Sequence, residues 1–596
     1  MHAMVDLLRR EGELAQIAAP VSSNQEIAEI HRRIAAANGP ALLFENVDGG
    51  PVPVLTNAFG SNKRTELAFG RRPLDFVRDA AKFALEALPP TPGKLWEFRH
   101  LASQGLGVGM KRLAAGPVTE VIEDPRLSRL PLLKLWPKDG GHFVTLPLVH
   151  TQHPDDGKHN LGMYRIQRYN DSTTGIHWQI GKGGGFHYQV AESRGESLPV
   201  TIFVGGPPAL ILSAIAPLPE GLPELLLASL LLGERLPMCK NPSGPHPLVS
   251  EAEFAFVGEV PPLERRPEGP FGDHYGYYSL AHDYPVFHCK TLCRRRAPIW
   301  PATVVGKPRQ EDFYIGDFLQ ELLSPLFPLV MPTVRDLWSY GETGFHALSA
   351  AVVKDRYGRE AMASAFRILG EGQLSLTKFL LVTDTPRDLR DFKGLLEHVL
   401  ARTNLETDLY VFGNLAMDTL DYAGPEVNKG SKGILLGLGA EKRELPREWK
   451  GTPPGGTHSP QVFCAGCLVI GGEPYASEPD QARRIASDPA LCGWQLVVLC
   501  DRPAQAAANE QAFLWTAFTR FEPAADLHSG NERLIRRHLA FGAPLVLDAR
   551  MKPWYPEEVF ASEEIKQRVT ERWKEYFPGG MDMGDSDYGY LGDVPG

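Results

Sequence analysis

Between residues 118 and 305 the chain is cut into short β-type runs separated by Gly/Pro turns, and this texture limits its possible folds more than any other feature. The runs are HFVTLPLV, GMYRIQRY, GIHWQI, PVTIFVGG, FAFVGEV, YPVFHCKTLC and TVVG, with a helical insert at 222–232. Close spacing of this kind predicts a barrel or sandwich rather than a parallel sheet. The flanks read differently. Residues 4–37 read as two amphipathic helices separated by AAPVSSN, then ALLFENV as a strand and 73–88 as a helix, so an N-terminal α/β domain is expected over 1–115. The β-rich domain follows over 116–310.

Past 310 helices and strands alternate again, which predicts a C-terminal α/β domain over 311–565. It holds an internal echo. The β-α unit 379–409 is repeated at 495–527: Asp384-Thr-Pro matches Asp501-Arg-Pro, and Arg402 with Asp408-Leu409 matches Arg520 with Asp526-Leu527. Residues 579–596 lack an apolar period and read as a mobile acidic tail.

Net charge is −10, with 43% hydrophobic and 22% charged residues, which argues against a nucleic-acid or anionic-membrane binder. Seven cysteines in 596 residues do not make a disulfide framework, and the lone CxxC at Cys464 and Cys467 predicts buried thiols. The apolar run 210–232 is broken by Pro217, Pro219, Glu220, Pro223 and Glu224, so no membrane span is expected. With no signal peptide apparent, the expected compartment is cytoplasmic.

Two stretches concentrate chemistry. In 158–188, strand-like pieces at 162–169 and 175–180 flank a turn, and the second runs into GKGGG. Bare backbone can approach a ligand closely there, and Lys182 suggests an anion, most simply a phosphate. In PEGPFGDHYGYY, Glu268 and Asp273 stand five apart across a Gly/Pro turn that can aim both at one pocket. Two close carboxylates raise one pKa and give a proton donor near neutral pH, with Arg165 the natural cation to order them. A capped surface turn with solvated acids is the alternative, and spacing alone favours it.

Taken together, NLGMYR, HWQ, GG and EGPFGDHxGYY resemble the UbiD family of decarboxylases, which use prenylated flavin mononucleotide (prenylated FMN). RRIAAANGPALLFENV, LTNAFGS, TKFLLVTD, LDYAGP and GSKG extend the resemblance over most of 5–555. It implies an N-terminal α/β domain, a central split β-barrel holding the flavin, and a C-terminal α/β domain used in homo-oligomerisation. By position, Asn160 matches a metal-ligand asparagine. Met163, Tyr164, Arg165, His177, Trp178, Gln179, Lys182 and Gly183 match flavin contacts, and Lys378 a lysine facing the cofactor. Arg165, Glu268 and Asp273 match the catalytic set, with Asp273 the proton donor.

Two positions depart from the family pattern. The manganese-binding histidine is expected at Gly181 and the metal-binding glutamate at Pro237, neither of which has a ligating side chain. The flavin phosphate would then rest on Lys182 and glycine amides, and His187 reads as an ordinary strand histidine. The resemblance implies (de)carboxylation of an aromatic or α,β-unsaturated acid, first a quinone precursor of ubiquinone or menaquinone biosynthesis, with a flavin prenyltransferase supplying the cofactor. The alternative is a non-catalytic UbiD-like subunit or scaffold that has lost metal-assisted cofactor binding.

Overall fold

The structure, a computed structural model, describes residues 1–86, 91–105, 107–178, 183–218, 223–307 and 309–586. The chain is mixed α/β with several separate sheets and forms two compact units. Among the described residues the first unit is 1–322 with 558–586, and the second is 323–557.

In the first unit a four-stranded sheet is built from Leu14–Ile17, Ala41–Phe44, Val54–Thr56 and Trp300–Pro301. LAQI, expected within a helical region, is therefore an edge strand parallel to Ala41–Phe44. Its β-branched end, Ile17, is fully buried, and tertiary pairing outweighs the local helical pattern. The last strand comes from the far end of the β-rich region, so the two expected domains 1–115 and 116–310 share one sheet and one core.

The β-rich region is a ten-stranded sheet whose hydrogen-bonded path runs open from Phe143–Val144 to His159–Gly162. Its spine is the 13-residue strand His282–Arg294, which pairs antiparallel with Thr173–Ile176, Phe254–Val260, Arg265–Glu268 and Val121–Glu123. A bulge at Val257/Gly258 lets this long strand bend between neighbours. Two predicted strands end early. GMYRIQRY is split into His159–Gly162 and Ile166–Arg168, and GIHWQI stops at Ile176. Met163–Arg165 and His177-Trp178 thus leave the ladder, and they are the residues the sequence marks for chemistry.

The helix Glu26–Ala36 buries Glu29, His31, Arg32 and Arg33, an unusual load of charge. The C-terminal helix Glu563–Tyr576 explains it: Arg33 donates to Thr570 Oγ1 at 2.7 Å, and Tyr576 and Arg572 meet Glu26. Residues expected as the start of a mobile tail are seated here too. Ser586 Oγ donates to Glu29 Oε1 at 2.7 Å and the Gly584 amide to Arg33 O at 3.1 Å. A short polar segment can dock when buried carboxylates and carbonyls need donors. The remaining tail residues, 587–596, lie outside the described residues. Helix Glu311–Leu323 packs Phe318 on Phe69 at 5.1 Å and lies almost wholly within the first unit.

The second unit contains two five-stranded sheets of one topology. In the first, Val334–Ser339 is antiparallel to Leu348–Val353, then Phe379–Thr383 and Lys429–Gly437 follow in parallel, and Leu409–Ala416 closes antiparallel. In the second, His458–Cys464, Cys467–Gly471, Leu496–Cys500, Leu545–Asp548 and Leu527–His528 repeat that order and sense. Cys464 and Cys467 are free buried thiols facing each other across a hairpin. Among the described residues no helix is long and apolar enough to cross a membrane.

Candidate active site

Arg165 lies in the break between two strands, where its side chain is free of the ladder's alternation. Its Nε and Nη2 donate to Glu268 Oε1 and Oε2, each at 2.8 Å, in a bidentate fork. Nη1 donates to Asp273 Oδ2 at 2.6 Å, and Nη2 also donates to Ser279 Oγ at 3.0 Å. The side chains are 8%, 0% and 12% exposed, so this is a buried charge cluster rather than a capped surface turn. The Phe271 ring lies 5.0 Å from the guanidinium.

Burial alone would raise both carboxyl pKa values and lower that of the guanidinium. Mutual attraction wins. Arg165, with a hydrogen bond from His177, holds Glu268 down at about 2, and the two carboxylates raise Arg165. Asp273 is held well below the usual carboxylate range, against its burial, by hydrogen bonds and charge from His274 and by Arg165. His177 is lowered by burial and then by Arg165. A carboxylate can only accept, so the neutral His177 ring donates Nδ1–H to Glu268 Oε2 at 3.0 Å. Its Nε2 then faces Tyr284 OH at 3.5 Å, and the two rings lie 4.3 Å apart. Burial pushes Tyr284 up to about 12.

A second group of residues borders the first. Asn160, on His159–Gly162, and Trp178, just past Ile176, are buried, and Asn160 Nδ2 and Trp178 Nε1 have no partner among the described residues. Both point to the start of helix Gly183–Ser193. A Cβ on Gly183 would fall 2.0 Å from Asn160 Oδ1, and one on Gly184 would fall 2.9 Å from Trp178 Nε1. Glycine is required there because the helix start must touch those side chains. The Gly184 amide lies 3.4 Å from Tyr164 OH. Buried donors left without partners among the described residues, beside glycine backbone, fit a phosphate-bearing group.

The structure therefore joins Arg165, Glu268 and Asp273, and separately groups Asn160, Tyr164, Trp178 and Gly183. Met163 is half-buried beside them in the strand break. Gln179, Gly181 and Lys182 lie outside the described residues. Lys378 belongs to the second unit, where it is buried with Nζ 2.6 Å from Asp421 Oδ2. Pro237 sits in the strand Leu236–Cys239, and its carbonyl accepts from the Ser250 amide at 2.9 Å. The carboxylate that reaches the Asn160 strand is instead Glu224, which accepts from the Leu161 amide at 3.0 Å and is raised by burial. Sequence reading noted Glu224 only as a charge that interrupts the apolar run 210–232. His187 is helical, not in a strand, and its Nδ1 meets Thr151 Oγ1 at 2.9 Å. Ser279, Tyr284 and His274 were also missed, although His274 adjoins Asp273 in a motif already singled out.

The acid cluster and the group around Asn160 thus both sit at strand ends of the ten-stranded antiparallel sheet of the first unit. Family models of the 3-octaprenyl-4-hydroxybenzoate carboxy-lyase match over 5–84 (N-terminal domain), 111–308 (Rift-related domain) and 313–437 (C-terminal domain). An uncharacterized Chlamydia trachomatis protein is 50% identical over 97% of this chain and 100% of its own length. A Chlamydia pneumoniae protein, named as one component of a 4-hydroxybenzoate decarboxylase, is 50% identical over 96% of this chain and 98% of its own. In fold the chain resembles vanillic acid decarboxylase of Sedimentibacter hydroxybenzoicus, with TM-score 0.65, 24% identity, and 76% and 95% of the two chains covered. It also resembles the UbiD-class enzyme HmfF of Pelotomaculum thermopropionicum, solved with FMN, with TM-score 0.61, 22% identity, and 73% and 93% covered. The chain belongs to the UbiD family. Its second five-stranded sheet lies beyond the last matched domain.

Proposed function

We propose that this protein is a prenylated-FMN-dependent (de)carboxylase of aromatic or α,β-unsaturated carboxylic acids, with a hydroxyarenecarboxylate as first substrate. The observation that carries the reading is the buried guanidinium shared by Glu268 and Asp273. When bound, the modified flavin supplies an electron sink for the charge left on carbon as carbon dioxide departs. Asn160 and Trp178, with the amides of the Gly183 helix, would hold its phosphate. Arg165 and Glu268 fix the position of Asp273, and Asp273 delivers the proton to the carbon that lost its carboxyl group. Glu268 stays ionised throughout, because Arg165 and His177 both donate to it. A flavin prenyltransferase supplies the cofactor, and the chain works as a homo-oligomer.

The test is to purify the protein from cells co-expressing a flavin prenyltransferase, record its absorbance and bound-cofactor mass, and screen carboxylic acids for carbon dioxide release. Prenylated FMN with turnover of an aryl acid is the expected result. A colourless, inactive protein from such cells would instead support a scaffold. A narrower prediction concerns the phosphate seat. Asn160→Ala removes one hydrogen bond to a charged group, about 1.5–3 kcal/mol, so the Kd for FMN should rise roughly 10- to 100-fold. An unchanged Kd by fluorescence titration would remove Asn160 from the seat.

A further inference from the structure

Asp273 reaches its role with a difficulty. Its Oδ2 accepts from Arg165, and its Oδ1 accepts twice from the next residue, from the His274 backbone N–H and from ring Nδ1, each at 2.7 Å. A carboxylate so saturated with donors rests ionised and has no proton to give. We propose that His274 is the proton store for Asp273, its ring passing the Nδ1 proton to Asp273 Oδ1 before Asp273 protonates the product carbon. The inference rests on the decarboxylase reading and deepens it.

The balance is simple. Protonated His274 and ionised Asp273 become neutral His274 and neutral Asp273. Asp273 then gives that proton to the carbanionic carbon and returns to carboxylate, and His274 takes one replacement proton from water. One proton is consumed for each carboxylate lost as carbon dioxide. Position supports the route. The Asp273 side chain is 12% exposed and the His274 side chain 28%, so the ring links a closed acid to solvent. Other groups facing the ring favour a positive charge on it or hold its plane. Asp312, on the helix Glu311–Leu323, has buried carboxylate oxygens and interacts electrostatically with His274. The Tyr275 ring sits edge-on at 5.1 Å. Arg165 lies on the far side of Asp273 and disfavours that charge. His274 therefore acts through Asp273 as a positioning residue.

His274→Asn keeps an N–H for Asp273 but cannot store a proton. In the flavin-loaded enzyme, with a hydroxybenzoate as probe, kcat should fall about 100-fold while KM and flavin content hold. The pH profile should lose one titrating group, and added imidazole should restore rate. Wild-type kcat with an unchanged pH profile, or a loss that imidazole does not relieve, would overturn the proposal. A second measurement does not depend on turnover. In flavin-free protein with 15N-labelled histidine, the His274 ring should stay doubly protonated to higher pH than it does in Asp273→Asn. Identical titration in the two proteins would refute the dyad. Failure of the loaded enzyme to act on any acid, with the dyad seen by NMR, would instead count against the decarboxylase reading.

Discussion

Arg165→Met is expected to destabilise the first unit by about 3–5 kcal/mol near neutral pH and to lower turnover about 1000-fold. Methionine fills similar space but leaves two buried carboxylates without their cation. Glu268 is the more exposed to this loss energetically, because its side chain is 0% accessible and both oxygens rest on the guanidinium fork. The effect has a signed pH dependence. In the native protein burial pushes Glu268 up, yet Arg165 and His177 hold it at about 2 against an ordinary 4.5. A carboxyl held low stabilises the fold above its ordinary pKa, and that stabilisation is lost as pH falls from about 4.5 through about 2. Without Arg165 burial dominates, so the Glu268 carboxyl of the variant takes up a proton at higher pH. The deficit is therefore largest at neutral and alkaline pH and narrows on acidification. Urea denaturation at about pH 8 and about pH 5 would read it. An equal deficit at both values would mean that the loss is packing, not charge.

Asp273→Asn is expected to lower decarboxylation by about 100- to 10,000-fold while fold and flavin content stay intact. The amide has the shape of the carboxylate, and its oxygen can still accept from Arg165 Nη1, which now donates to Oδ2 at 2.6 Å. It cannot carry a proton to carbon. Steady-state kcat, the flavin-to-protein absorbance ratio and the thermal midpoint separate the possibilities. Full turnover would remove Asp273 from the reaction. A collapse of the midpoint would make it a structural member of the ion cluster instead.

Much of the site was legible because its residues fall in two dense stretches with distinctive spacing. Arg165 and His177 lie 12 residues apart, on either side of one turn in a local hairpin, and the pairing of Ile166–Arg168 with Thr173–Ile176 brings them together. What spacing could not show was the company that acid pair keeps. Solvated turn acids and a buried Arg-bridged pair share the same letters, and Glu268 Oε1 meets Arg165 across 103 residues of chain. The contact of Glu224 was invisible for a similar reason. Its value lies in a bond to the Leu161 amide, 63 positions earlier, and no local pattern encodes it.

The sequence by itself determined the order of texture, β-rich between two α/β regions, the echo at 379–409 and 495–527, and the acids, arginine and glycines of the candidate site. Periodicity, turn residues and motif spacing are local properties, and local properties survive in a string of letters. Only the tertiary structure decided where the units divide, that Trp300–Pro301 completes the first sheet, that the C-terminal helix covers Glu26–Ala36, and which side chains complete the acid cluster. Those outcomes depend on long-range burial. Removing Glu268, Asp273 and Arg165 from water makes each require the others, and that requirement exists only once distant segments have met.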